Sequence, residues 1–157
     1  MSNPGQAVQI LLVEDSPDDV FFFRRAVKKT GLAAVTHVAV DGIEATDYLL
    51  NRGRFADAAA HPPPDIVFLD LKLPHRNGFE VLDWLGRLKD RPQPPVVVLT
   101  SSNQPDDQAR AEALGAVLYL TKPAASDQLL QALRTYAAAR LGEPEAGPDG
   151  AAAKGKP

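Results

Sequence analysis

Short unbroken apolar blocks alternate along the chain with segments of helical spacing, and this alternation predicts the fold. VQILLV, residues 8–13, is apolar at five of its six positions. A run without polar alternation is expected of a strand covered on both faces, as in a parallel sheet flanked by helices. The period then changes. Val20, Phe23 and Val27 recur at helical spacing. Ser16 offers an N-cap oxygen, Pro17 suits the first helical position, Asp18 and Asp19 complement the positive end of the helix dipole, and Gly31 stops the run. The stretch Ser16-Pro17-Asp18-Asp19 thus reads as capping rather than chemistry.

The same change of period occurs four more times, with strands expected near 34–40, 65–70, 96–100 and 117–120. A second helix opens at Asp41. A third follows Gly78, with Phe79, Leu82 and Leu85 on one side. A fourth, Asp106 to Leu114, is alanine-rich and poor in large apolar residues. The last, with Ser126 as its cap, turns Leu129, Leu130, Leu133, Ala137 and Leu141 toward a core. Five β-α units predict an α/β fold: a doubly wound, flavodoxin-like five-stranded parallel sheet in the order 2-1-3-4-5.

Two segments interrupt the pattern. NRGRFADAAAHPPP, residues 51–64, is a long connection ending in prolines, expected at the surface and stiffened by them. GEPEAGPDGAAAKGKP, residues 142–157, has no Ile, Leu, Val or aromatic side chain to offset the entropy of ordering. The expected organisation is an N-terminal extension over 1–7, one folded domain over 8–141 and a disordered tail over 142–157. With 157 residues, 45% of them apolar, the chain can build one real core.

Composition removes several functions. There is no cysteine, so disulfides, thiolate nucleophiles and zinc-thiolate sites are excluded together. His37, His61 and His75 are scattered and form no zinc pattern; His61 and His75 are expected at the surface. A net charge of -3 and a pI near 5.6 give no global electrostatic reason to bind nucleic acid. No apolar run approaches the roughly 20 residues that span a bilayer, and MSNPGQ lacks the features of a signal peptide. Cytoplasmic location and protein partners are the expectation, with no nucleic acid and no membrane.

In an open parallel sheet, ligands bind beyond the carboxyl ends of the strands, where the strand order reverses. Those ends carry Glu14-Asp15, Asp70, Thr100-Ser101-Ser102 and Thr121-Lys122-Pro123. Asp70 is the informative one, because DIVFLDLKLPHRNG places it directly after a buried apolar run. Neighbouring carboxylates repel, and a hard cation with oxygen ligands, such as Mg2+, relieves the repulsion. A lysine and a hydroxyl at the same edge suit a group bearing negative oxygens. Asp70 is then a carboxylate nucleophile or a metal ligand.

LLVEDSPDD, FLDLKLPHRNG, VVVLTSS and LYLTKP resemble, in order and spacing, the blocks of the CheY-like receiver domain of two-component response regulators, over about residues 8–140. Gly78 eight residues after Asp70 and Tyr119 three before Lys122 are part of the match. The resemblance implies that Asp70 accepts a phosphoryl group from a histidine kinase. It also implies that Glu14, Asp15, Asp70 and the backbone carbonyl of Lys72 hold Mg2+. Lys122 would pair with a phosphoryl oxygen and Thr100 would move to another. Tyr119 would follow Thr100 inward and change the face formed by the fourth helix, fifth strand and fifth helix. A cis bond between Lys122 and Pro123 is also implied. The long connection before the third strand, PPDIVFLDLKLP and the lack of an output domain are similar to single-domain regulators paired with bacterial phytochromes. The sequence leaves a homodimer open and the downstream protein unspecified.

Each residue also has a plain reading. Asp70 alone could cap a turn, Glu14-Asp15 could be solvated charge, Lys122 an exposed lysine, Tyr119 a strand aromatic, and Ser101 and Ser102 loop hydroxyls. Their joint position favours the site. Arg24-Arg25 and Lys28-Lys29 form the solvated side of the first helix, where the resemblance places kinase docking. The alternative function is a Mg2+-dependent phosphohydrolase with an aspartate nucleophile. The Asp-x-Asp of haloacid-dehalogenase phosphatases is absent, since Asp70 is followed by Leu71 and Lys72, and there is no cap-sized insertion. A receiver that works without phosphorylation is disfavoured because every expected site residue is present. The expected class is a signalling switch, not an enzyme, with self-phosphorylation and self-dephosphorylation as its only chemistry.

Overall fold

The computed structural model describes residues 7–74, 77–88 and 93–138. Five strands, β1 (Val8–Val13), β2 (Ala34–Ala39), β3 (Ile66–Leu69), β4 (Val96–Thr100) and β5 (Leu118–Thr121), alternate with five helices. The helices are α1 (Pro17–Lys29), α2 (Gly42–Leu49), α3 (Gly78–Arg87), α4 (Pro105–Ala113) and α5 (Ser126–Tyr136). All strand pairs are parallel and the order is β2-β1-β3-β4-β5, as the alternation predicts.

Covering both faces explains the apolar runs. Along β1, Leu11 and Val13 enter one core with Val67, Leu69, Val96 and Val98, roofed by α2, α3 and Ala111 of α4. Val8, Ile10 and Leu12 enter the other, with Ile66, Phe68, Val97 and Leu99, roofed by α1 and α5. Successive strand residues point to opposite faces, so every position of β3 and β4 is buried. The edge strand β2 is buried fully only at Ala39. Phe23 of α1 meets Phe68 edge-on with ring centroids 5.0 Å apart, a geometry worth about 0.5–1.5 kcal/mol beyond area burial.

The caps set the helix starts. Ser16 Oγ accepts from the Asp19 N–H, Asp41 Oδ1 from Glu44, and Asn77 and Glu80 bond reciprocally at the start of α3. Ser126 is not a cap. It is the first residue of α5; Ala125 precedes it, and the Ala125 N–H donates to Gln128 Oε1. An alanine has no acceptor, so the side chain at the third helical position does the capping alone. Leu129, Leu133 and Ala137 are buried, while Leu130 is half-exposed and off the core. Leu141, the segment 142–157 and residues 1–6 lie outside the described residues.

The 51–64 connection is not surface structure throughout. A 3-10 turn over Gly53–Phe55 buries Phe55, whose ring lies 5.2 Å from both Tyr48 and His61. Asn51, at φ 52, sends its Nδ2 to the carbonyls of Phe55 and His61 at 3.0 Å each. Tyr48 Oη donates to the Pro62 carbonyl at 2.9 Å. His61 is correspondingly half-buried rather than a surface histidine, with a buried Nδ1. Prolines stiffen this segment, but an aromatic cluster with His37 anchors it.

Candidate functional site

β1, β3, β4 and β5 end side by side, and backbone bonds carry their registers one residue further. The Asp70 N–H donates to the Val13 carbonyl, the Glu14 N–H to Ala39, and the Lys122 N–H to Thr100. Asp70 is thereby fixed at the centre of the edge. Its Oδ1 accepts from the Lys72 N–H at 3.1 Å and its Oδ2 from Lys122 Nζ at 2.9 Å. The side chain is 7% exposed. A buried carboxylate needs such partners to stay charged.

Behind Asp70 the chain returns tightly. The Gly78 N–H donates to the Leu71 carbonyl, and a Cβ on Gly78 would strike the Asp70 carbonyl oxygen and lie 2.6 Å from Leu71 Cα. Only glycine lets α3 begin this close to the aspartate. His75, between them, lies outside the described residues.

Glu14, Asp15 and Asp70 each offer a carboxylate oxygen, and the three oxygens lie within 4.8 Å of one another. Asp15 is exposed and Glu14 and Asp70 are buried. The donor set is three carboxylates and all oxygen, which fits a hard divalent cation. Burial pushes the Glu14 carboxyl above its ordinary range, and the bond from Lys122 opposes this without cancelling it. Burial acts to lower the Lys122 pKa, but bonds to Asp19, Glu14 and Asp70 outweigh it and hold the ammonium charged.

Lys122 Nζ stands among three carboxylates: Glu14 Oε1 at 2.6 Å, Asp19 Oδ2 at 2.8 Å and Asp70 Oδ2 at 2.9 Å. The Asp19 contact corrects the capping reading of SPDD. Ser16 does cap α1, but the Asp19 side chain reaches the site. Its position carried the signal: helical side chains lean toward the helix N-terminus, and α1 starts just beyond the end of β1. The peptide between Lys122 and Pro123 is cis. Lys72 projects its side chain into solvent.

Thr100 is fully buried at the end of β4, and its hydroxyl accepts from the Ser102 N–H at 3.4 Å. Among the described residues that hydroxyl bonds neither Asp70 nor the Lys122 side chain. Ser102 is more than a loop hydroxyl: it is buried, and its Oγ donates to Asp107 Oδ2 of α4 at 2.6 Å. Tyr119 Oη donates to the Ser102 carbonyl at 2.9 Å. One loop therefore joins Thr100, Tyr119 and α4. That helix buries only Ala111 fully, and Arg110 lies 4.1 Å over the Phe79 ring of α3.

Residues 10–134 match the family described as response regulator receiver domain. The chain is 36% identical over 121 residues to response regulator Rcp1 of Synechocystis, covering 77% of this chain and 79% of Rcp1. The solved Mn2+-bound form of Rcp1 superposes with a TM-score of 0.69 at 32% identity, covering 82% of this chain and 93% of that one. The bacteriophytochrome response regulator AtBRR superposes with a TM-score of 0.73 at 37% identity, covering 84% and 94%. The phosphorylated cyanobacterial phytochrome response regulator RcpA gives 0.71 at 32%, covering 83% and 94%. Receiver domains are signalling switches that bind a divalent metal and accept a phosphoryl group from histidine kinases. With its five parallel strands in the order 2-1-3-4-5 and its acidic cluster at their carboxyl ends, the chain belongs to the response regulator receiver domain family.

Proposed function

We propose that the chain is a response regulator whose Asp70 carboxylate takes the phosphoryl group from a phosphohistidine of a kinase, with residues 8–141 as the receiver unit. The observation that carries this reading is Asp70 itself, buried at the sheet edge between the Lys72 N–H and Lys122, with Glu14 and Asp15 oxygens beside it. An Asp70 oxygen attacks phosphorus, the P–N bond breaks, the imidazole leaves, and an acyl phosphate forms. Glu14, Asp15, Asp70 and the Lys72 carbonyl would hold Mg2+, which supplies charge neutralisation for the transferred oxygens. Lys122 pairs with one phosphoryl oxygen. Thr100 hydrogen-bonds another, and its movement is passed to Tyr119 through the Ser102 loop. The likeness to phytochrome regulators supports a bacterial phytochrome kinase as the donor in the cytoplasm, with protein contact as the output. The phosphohydrolase alternative is not favoured by the family match.

The test is incubation with a small acyl-phosphate donor, followed by intact-mass analysis. One phosphoryl group is expected on the parent chain with Mg2+, and none on Asp70→Asn or in the presence of a chelator. Equal labelling of Asp70→Asn would remove Asp70 from its assigned role.

A further inference from the structure

The ammonium of Lys122 has three N–H donors and three carboxylate partners, and those partners are not equivalent. Glu14 and Asp70 belong to the oxygen cluster that fits a divalent cation; Asp19 does not. A cation settling on Glu14 and Asp70 competes with Lys122 for both. The Lys122 side chain is only 15% exposed, and withdrawing its partners would leave a charge poorly solvated and unpaired. Asp19 supplies the partner that need not leave. Its backbone is fixed by the bond from its N–H to Ser16 Oγ, and its side chain, 40% exposed, keeps part of its hydration while it holds the ammonium.

We infer that Asp19 is a positioning residue that retains Lys122 while the metal and the phosphoryl group exchange onto Glu14 and Asp70. One donor of Nζ stays on Asp19. The two released from Glu14 and Asp70 become available to the incoming oxygens. This rests on the reading of Asp70 as phosphoacceptor, and it differs from a dipole role for a first-turn acid, which would act on α1 whatever stands at position 122.

A double-mutant cycle separates these roles. The full chain, Asp19→Ala, Lys122→Ala and the double variant are titrated with Mg2+ by calorimetry, and then with beryllofluoride at saturating Mg2+. Asp19→Ala is expected to weaken both by roughly three- to tenfold, within the range of coupling for contacting residues. In the Lys122→Ala background, the same change should alter Mg2+ affinity less than about twofold. Asp19→Asn, which keeps an acceptor for the ammonium, should recover part of the loss and serves as the second variant if Asp19→Ala is poorly folded. Equal losses in both backgrounds would mean that Asp19 acts by remote attraction of the cation and would overturn the inference, leaving the phosphoacceptor reading intact. A parent chain that binds neither Mg2+ nor beryllofluoride would overturn both.

Discussion

At the scale of single residues, the site depends on what a side chain lacks as well as on what it carries. Gly78 sits where any Cβ would meet the Asp70 carbonyl and Leu71 Cα. Gly78→Ala must therefore displace either the start of α3 or the peptide that carries the proposed phosphoacceptor. Overpacking of this kind costs about 1–3 kcal/mol. We expect a lower denaturant midpoint of that size together with slower phosphorylation of Asp70 by a small acyl-phosphate donor. Unchanged stability and an unchanged labelling rate would show that the backbone there yields freely. Lys122 makes the complementary point, since one half-buried ammonium joins α1 and the ends of β1 and β3 through three carboxylates.

At the scale of elements, the edge strand β2 borrows its cover from the connection after α2. His37 Nε2 lies 2.8 Å from Gln9 Oε1, and its ring packs 5.5 Å from Tyr48 and 6.4 Å from His61. Burial, reinforced by His61 and Arg24, lowers the His37 pKa below 6.5. A histidine whose folded pKa is depressed binds fewer protons folded than unfolded. Its contribution to stability is therefore complete above pH 6.5 and is lost as the pH falls from there through the folded value. Glu14, whose carboxyl is raised, works in the opposite direction on acidification, so the parent must be compared with His37→Gln rather than read alone. Denaturant midpoints measured from pH 7.5 to 5.5 should fall more steeply for the parent than for the variant; parallel curves would dismiss the His37 contribution.

At the scale of the whole molecule, the proposed cation site can form only when the strand ends are assembled. Glu14 and Asp15 follow β1, Asp70 follows β3, and the unfolded chain separates them by more than fifty residues. A ligand of the folded state alone stabilises it by mass action, about 2.7 kcal/mol at a hundred times its dissociation constant. For a domain of this size, that corresponds to a rise in Tm of about 5–10 °C. Thermal unfolding in Mg2+ against chelator should show such a rise in the parent and little in Asp15→Asn. The same rise in Asp15→Asn would place the cation elsewhere. Among the described residues, no helix is long and apolar enough to cross a membrane.

The five strands, their order and the residues at their carboxyl ends were legible in the sequence, because a two-sided sheet demands continuous apolar runs and the crossovers that join them are restricted. Asp70 stood out for the same reason, as an ionisable group placed straight after such a run. Two features were decided by tertiary packing and a third by a competing local cap. Asp19 reads locally as a helix-start acid, and only the folded chain, which sets Lys122 beside the start of α1, gives it a partner 103 residues away. Phe55 and His61 lie in a polar, proline-ended segment whose local composition says surface; Tyr48 and His37, from other elements, bury them. Ser126 looks like a cap by residue type, yet α5 begins one residue earlier than a serine cap allows, because Gln128 closes the first turn on Ala125. Local propensity describes what a segment can satisfy by itself, and each of these side chains is satisfied by a residue distant in sequence or by an alternative neighbour that only the folded chain selects.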